Sequence, residues 1–109
     1  MFEISEYIDA RGGSPFARWF DRLDGRSAAK VTTALARMEL GNLSNSRSVG
    51  AGVLEYRIDS GPGYRIYLGR DGDALIVLLG GGTKARQQRD IETARELWRE
   101  YRRRKRPEE

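Results

Sequence analysis

The chain has 109 residues, enough for one domain with a modest core, and it contains neither cysteine nor histidine. That composition excludes disulfides, thiol chemistry, histidine-based catalysis and zinc sites built on Cys or His. The formal net charge is +4 and the sequence pI is about 9.8. An excess of cations favours polyanions such as nucleic acid, or an acidic partner protein. We expect no cofactor and no bound metal.

We expect no secretion signal and no membrane span. The first residues lack the apolar core of a signal peptide, and the longest apolar run is ALIVLL, at 74–79. We therefore expect a cytoplasmic protein with no membrane role.

The first half of the chain predicts one strand and two helices. Alternation of apolar and polar residues over 2–8 predicts a strand. Ser14 followed by Pro15 is typical of a helix N-terminus. A second helix is predicted from about Ser27 to Leu40, and Gly41 ends it. The first helix has one apolar stripe, formed by Phe16, Trp19, Phe20 and Leu23.

The second half predicts three strands and a helix. VLEYRID and YRIYLGR alternate and are joined by the turn SGPG, and Asp71-Gly72 is a strong hairpin signal. ALIVLL is apolar on both sides, which predicts a central, covered strand. A helix follows over about 85–104. Its inner face consists of Ile91, Ala94, Trp98 and Tyr101.

The resulting order, β-α-α-β-β-β-α, predicts an α+β fold with an antiparallel sheet and helices packed on one face. We expect a single domain over 1–104, followed by a short basic and acidic tail over 105–109.

The polar face of the predicted sheet carries the first candidate site. The turn between the second and third strands places Arg57 opposite Arg65, and Glu55 opposite Tyr67. Two arginines directly across from each other repel, unless carboxylates or an external anion neutralise them. Glu55 and Asp59 lie on the same face, so a structural ion-pair cluster is one interpretation. The other is a phosphate-binding face, because arginine forks bind phosphate bidentately.

The stretch LLGGGTK contains the second candidate site. The order of a strand, glycines, a lysine and a helix resembles a phosphate-binding loop. A P-loop is excluded because Gly80 is too close to Lys84. A P-loop also follows a strand of a parallel sheet, and the sheet predicted here is antiparallel. A tight connection in which the glycines adopt unusual dihedrals is one interpretation. The other is a loop that lets phosphate approach and supplies Lys84. Arg65, Arg57, Lys84 and Tyr67 could then line one concavity.

Acid-base chemistry without histidine would fall to Glu55, Tyr67 or Lys84. Cleavage of RNA by its own 2′-hydroxyl needs in-line geometry and cations more than covalent help. A site rich in Arg and Lys with a weak base fits that reaction.

Four segments carry a family resemblance: FARWFDRL, KVTTALARMELGN, SVGAGVLEYRIDSGPGYRIYLG and LLGGGTKARQQRDIETARELWREY. In these segments the chain resembles the addiction-module killer proteins, which are HigB-type toxins of the RelE/ParE superfamily. The resemblance covers nearly the whole chain, from Phe2 to Tyr101. GPGYRIY and the GG-x-K…Q-x-DI block are its most specific parts, and the superfamily fold matches the predicted element order.

The resemblance implies a type II toxin-antitoxin toxin, a metal-independent endoribonuclease that cuts mRNA on the ribosome and inhibits translation. A cognate antitoxin, usually a small helix-turn-helix protein, would neutralise it. Arg65 matches the phosphate-binding arginine of RelE-type nucleases, and Arg57 and Lys84 match basic positions of the killer branch. Tyr67 or Glu55 would transfer protons. Contacts to ribosomal RNA would come from Arg86, Arg99, Arg102, Arg103 and Arg104.

Departures from the pattern keep two alternatives open. RelE-type nucleases have lysines at the positions that Ile58 and Asp59 occupy in this chain, and a tyrosine at the position of Ile91. In the killer pattern an aspartate precedes the lysine of the loop, and this chain has Thr83 there. HigB nucleases commonly use histidines. One alternative is a ParE-like inhibitor of DNA gyrase without nuclease activity. The other is a degenerate toxin that only binds its antitoxin or RNA.

Overall fold

The computed structural model describes residues 1–105, in which five strands form one mixed sheet accompanied by three α-helices. The elements in chain order are β1 (Glu3–Glu6), α1 (Pro15–Phe20), α2 (Gly25–Glu39), β2 (Ser46–Ser48), β3 (Val53–Ile58), β4 (Tyr64–Asp71), β5 (Leu75–Thr83), a 3-10 turn (Lys84–Arg86) and α3 (Gln87–Lys105). No helix within these residues combines the length and hydropathy needed to cross a membrane.

The sheet has the strand order β1-β5-β4-β3-β2. Its four C-terminal strands are antiparallel, but β1 runs parallel to β5, so the prediction of an antiparallel sheet was wrong there. Alternation has the same period in either direction and cannot show which way a strand runs. A parallel pair needs a long crossover, and the elements between β1 and β5 supply one. The short polar strand β2 was not predicted, because three residues show no periodicity.

Helices cover both faces of the sheet, so the prediction of one covered face was also wrong. α1 and α2 pack on one face, and α3 packs on the other. β5 shows why both faces are covered: Ile76 and Leu78 lie in the core under α1 and α2, while Val77 and Leu79 lie under α3. The prediction that ALIVLL forms an interior strand, covered on both sides, is confirmed.

The helix ends follow ordinary capping chemistry. Ser14 Oγ accepts the Ala17 N–H at 3.0 Å, which confirms the predicted start of α1. Asp24 Oδ1 accepts the Ser27 N–H at 2.8 Å, so α2 begins two residues before the predicted Ser27. After α2 the chain turns at Gly41, whose φ of +91° is left-handed.

The three glycines of LLGGGTK belong to β5 and do not form a loop. None of them has a positive φ, so the interpretation that they supply unusual dihedrals was wrong. Two of them, Gly81 and Gly82, are small because neighbouring side chains approach closely. A Cβ on Gly81 would overlap the Trp19 indole of α1, and one on Gly82 would overlap the Asp90 carboxylate of α3.

Gly81→Ala is expected to destabilise the protein by about 1–3 kcal/mol, because the new methyl group displaces Trp19 from a packed core. Gly80→Ala is the matched control, since a Cβ at Gly80 meets no atom within 4 Å. Urea denaturation of both variants measures the difference. Equal free energies of unfolding would contradict this account of the glycines.

Candidate phosphate-binding site

The predicted register between β3 and β4 is confirmed. Arg57 pairs with Arg65, and Glu55 pairs with Tyr67. All four side chains belong to the face covered by α3. The two arginines therefore lie side by side at the end of the sheet where β3 turns into β4.

An open concavity of about 500 Å³ lies at this turn. Its charged lining consists of Arg57, Arg65, Lys84 and Asp59, and residues 60–63 complete the wall. The structure thus brings together the three cations expected at the site. β5 ends beside the turn, where the Lys84 N–H donates to the Pro62 carbonyl oxygen at 3.4 Å, and this contact carries Lys84 into the concavity.

Arg65 is held in place from two sides. Its side chain is only 5% exposed. Nη1 donates to the Gly63 carbonyl oxygen at 2.6 Å, and Nε lies 3.9 Å from Glu55 Oε2. Nε has no hydrogen-bond partner in the described residues. Nε is buried beside Glu55, and it is the fixed position of the guanidinium in the lining of an open cavity that suits it to binding an anion.

Glu55 lies under the concavity and has no exposed surface. Its carboxylate accepts hydrogen bonds from Arg47 Nε at 3.0 Å, from Tyr67 Oη at 3.0 Å and from Gln87 Nε2 at 3.0 and 3.2 Å. Burial raises the pKa of Glu55, but the hydrogen bonds, led by those from Gln87, outweigh it and hold the pKa below its usual value. Glu55 is therefore a buried anion and a weak base.

Tyr67 does not line the concavity, contrary to expectation. Its side chain is 1% exposed and its hydroxyl donates to Glu55. Burial and the neighbouring Glu55 charge raise its pKa well above the ordinary value of 10.0. Of the three proton-transfer candidates named from the sequence, Glu55 and Tyr67 thus lie beneath the site, and Lys84 lines it. The carboxylate on its wall is Asp59, which follows β3 directly, two residues after Arg57.

Asp90 belongs to the Q-x-DI block of the resemblance, but no role was predicted for it. It lies in the first turn of α3 against Gly82, and its Oδ2 is buried with no hydrogen-bond partner in the described residues. Burial raises its pKa and outweighs the opposite effect of the Arg86 and Arg89 cations. An ionised Asp90 therefore costs the folded state free energy.

Asp90→Asn is expected to raise the thermal unfolding temperature at neutral pH, because it removes a desolvated charge. A carboxyl with a raised folded-state pKa loses stability as pH rises above its unfolded value. The gain should therefore vanish in acid, where both states hold the proton. Thermal denaturation of both proteins across pH tests this. A gain that persists below the ordinary Asp pKa would contradict the assignment.

The arginines expected to contact RNA differ in their surroundings. Arg104 Nη1 donates to Tyr7 Oη at 3.0 Å and to the Ile8 carbonyl oxygen at 2.8 Å, so it anchors α3 to the end of β1. All five arginines are exposed, and the other four are Arg86, Arg99, Arg102 and Arg103. Of the expected tail over 105–109, Lys105 belongs to α3, and 106–109 lie outside the described residues.

Cationic side chains dominate the lining of this site. Residues 1–105 contain no group of three or more acidic side chains that could hold a metal ion. Two arginines and a lysine around a concavity can bind a phosphate and stabilise negative charge that develops on it.

Comparison with known proteins shows a family without showing an activity. The chain is 40% identical to a Haemophilus influenzae protein described as an "Uncharacterized protein". The similarity runs over 83 residues, which are 75% of this chain and 84% of the relative. No family model matches the chain. The chain belongs to the same protein family as the Haemophilus influenzae relative.

Proposed function

We propose that this protein is the toxin of a type II toxin-antitoxin system, a HigB-type member of the RelE/ParE superfamily that acts in the cytoplasm. Its activity is ribosome-dependent, metal-independent cleavage of mRNA, which inhibits translation. The observation that carries the proposal is the convergence of Arg57, Arg65 and Lys84 on one concavity. The resemblance in GPGYRIY and in the segment around Lys84 supports it.

The reaction needs orientation and charge stabilisation. Arg65, held by Gly63 and Glu55, binds the scissile phosphate in a fixed orientation. The RNA 2′-oxygen attacks the adjacent phosphorus to form a 2′,3′-cyclic phosphate, the bond from phosphorus to the 5′-oxygen breaks, and the departing 5′-oxygen takes a proton from water. Arg57 and Lys84 stabilise the charge that accumulates on the phosphoryl oxygens. Asp59 on the wall takes the proton from the 2′-hydroxyl, because Glu55 and Tyr67 have no access to it.

Two macromolecular partners follow from this proposal. The ribosome presents the mRNA, and the exposed arginines of α3 contact ribosomal RNA. A cognate helix-turn-helix antitoxin neutralises the toxin.

A second candidate is a ParE-like gyrase inhibitor. The burial of Glu55 and Tyr67 favours it, because a binding surface needs cations but no proton-transfer group. A degenerate toxin that only binds its antitoxin or RNA would fit the same geometry.

Induced expression in a bacterial host tests the proposal against these alternatives. The nuclease should stop growth and amino-acid incorporation within minutes while plasmid supercoiling stays normal. A gyrase inhibitor should instead relax the plasmid first. Normal growth at high soluble expression would leave only the degenerate toxin.

A further inference from the structure

A second groove adjoins the phosphate-binding concavity. It has a volume of about 340 Å³ and lies between α2 and the end of β3. Its lining includes Arg57, Asp59 and Ser60, which also line the concavity. The two depressions are therefore continuous around the edge of the sheet. We call the second one the α2 groove.

The continuity arises because the edge strand is short. β2 pairs with β3 only from Ser48↔Leu54 to Ser46↔Tyr56. The Arg57 N–H still reaches the Asn45 carbonyl oxygen, at 3.2 Å, but no strand covers β3 beyond this point. Arg57 is consequently exposed at an open edge and lines depressions on both sides of the sheet.

The α2 groove is basic, because three cations, Lys30, Arg37 and Arg57, line it against one carboxylate, Asp59. Lys30, Thr33 and Arg37 are spaced along one side of α2, and all three line the groove and are exposed. Within residues 1–105, neither Lys30 nor Arg37 forms a salt bridge, and the same holds for Arg57 and Lys84. Four unpaired cations along one concave path create a positive potential that a polyanionic strand would relieve.

Neutral groups in the α2 groove are also free to bind a ligand. Neither the Thr33 hydroxyl nor the Asn45 amide makes a side-chain hydrogen bond in the described part of the chain. Hydroxyl and amide groups can bind sugar hydroxyls and base edges. The groove thus offers both charge and hydrogen bonding.

We propose that the α2 groove binds the single-stranded RNA segment that flanks the scissile phosphate, with Lys30 and Arg37 on its backbone phosphates. These two residues are seven positions apart, or about 10 Å along the helix axis, which lets them contact different phosphates of one strand. This inference rests on the proposed function, since it extends the RNA path from the phosphate-binding concavity around the edge at Arg57.

Binding of non-cleavable 2′-O-methyl RNA tests the inference. Fluorescence anisotropy compares a dinucleotide with a decanucleotide, using the wild type and the double variant Lys30→Ala/Arg37→Ala. The wild type should bind the longer RNA more tightly. The double variant should lose roughly tenfold in affinity for the decanucleotide but bind the dinucleotide as before. The slope of log K against log salt should fall by about 1.4, or about 0.7 for each lost phosphate contact.

A matched control separates the groove from net charge. Arg22→Ala/Arg26→Ala removes two exposed cations that do not line the α2 groove, and it should leave the affinity for both RNAs unchanged. Three results would overturn the inference. The two double variants could lose equal affinity, Lys30→Ala/Arg37→Ala could still bind the decanucleotide more tightly than the dinucleotide by the wild-type factor, or the wild type could fail to bind the decanucleotide. Failure of the proposed function would look different: RNA would bind in the groove, but translated mRNA would stay intact.

Discussion

Replacing Arg65 with alanine is expected to abolish growth arrest and to lower the rate of mRNA cleavage by about 10²–10³-fold. Arg65 is the cation that the fold fixes most firmly in the concavity, through Gly63 and Glu55. Its loss removes both the orientation of the phosphate and a charge that stabilises the transition state. Cleavage rates on translated mRNA, measured at equal concentrations of folded protein, give the effect.

Two further variants separate function from folding in this experiment. Arg57→Ala removes an exposed side chain from the same concavity, so it should reduce cleavage without lowering the unfolding temperature. Arg26→Ala, an exposed arginine on α2 outside both depressions, should change neither property. Undiminished growth arrest by the Arg65→Ala protein at the same soluble level would refute the assignment of Arg65.

Glu55→Ala is expected to lower the free energy of unfolding by about 3–5 kcal/mol. The carboxylate is fully buried and accepts hydrogen bonds from Arg47, Tyr67 and Gln87. Alanine would leave the Tyr67 hydroxyl without its acceptor and Arg65 without a nearby counter-charge. Urea denaturation at neutral pH measures the loss. A change below about 1 kcal/mol would show that the network does not stabilise the fold.

The pH dependence of Glu55→Gln tests the charge of this network separately. The folded-state pKa of Glu55 lies below its ordinary value of 4.5, so its contribution is complete above that value. The contribution is lost as pH falls through the lower, folded-state pKa. The stability difference between wild type and Glu55→Gln should therefore be constant from neutral pH to about 5 and shrink in stronger acid. A difference that grows in acid would contradict an ionised Glu55.

Local patterns in the sequence were sufficient for all the helices and strands except β2, and for the register of the site. Ser14, Gly41 and the Asp71-Gly72 turn mark real element ends. The prediction that Arg57 faces Arg65 is confirmed, because a single turn and the period of two fix the pairing of β3 with β4. That register is what places two arginines together.

Local sequence patterns did not predict how the helices and the sheet are layered. The direction of β1 depends on a crossover that no alternation encodes. The position of α3 could have been inferred, because a strand that is apolar on both sides, as over Ile76 to Leu79, needs cover on both faces. The prediction that helices cover one face of the sheet did not take this requirement into account.

Alternation also could not predict how deeply each side chain of the site is buried. Alternation assigns Glu55, Arg57 and Tyr67 to one face, but only Arg57 is exposed. α3 crosses that face and buries the other two, and Gln87 at its first turn completes the shell around Glu55. Contacts between distant segments set this difference, as they do for Asp90 against Gly82.

The central claim, that this protein cuts mRNA during translation, is tested most directly by mapping mRNA ends in a purified cell-free translation system. The account predicts new ends within translated codons when the wild type is added. Those ends should be absent from naked mRNA and from reactions with the Arg65→Ala protein. Intact mRNA in the presence of folded wild-type protein would contradict the claim and would direct attention to gyrase.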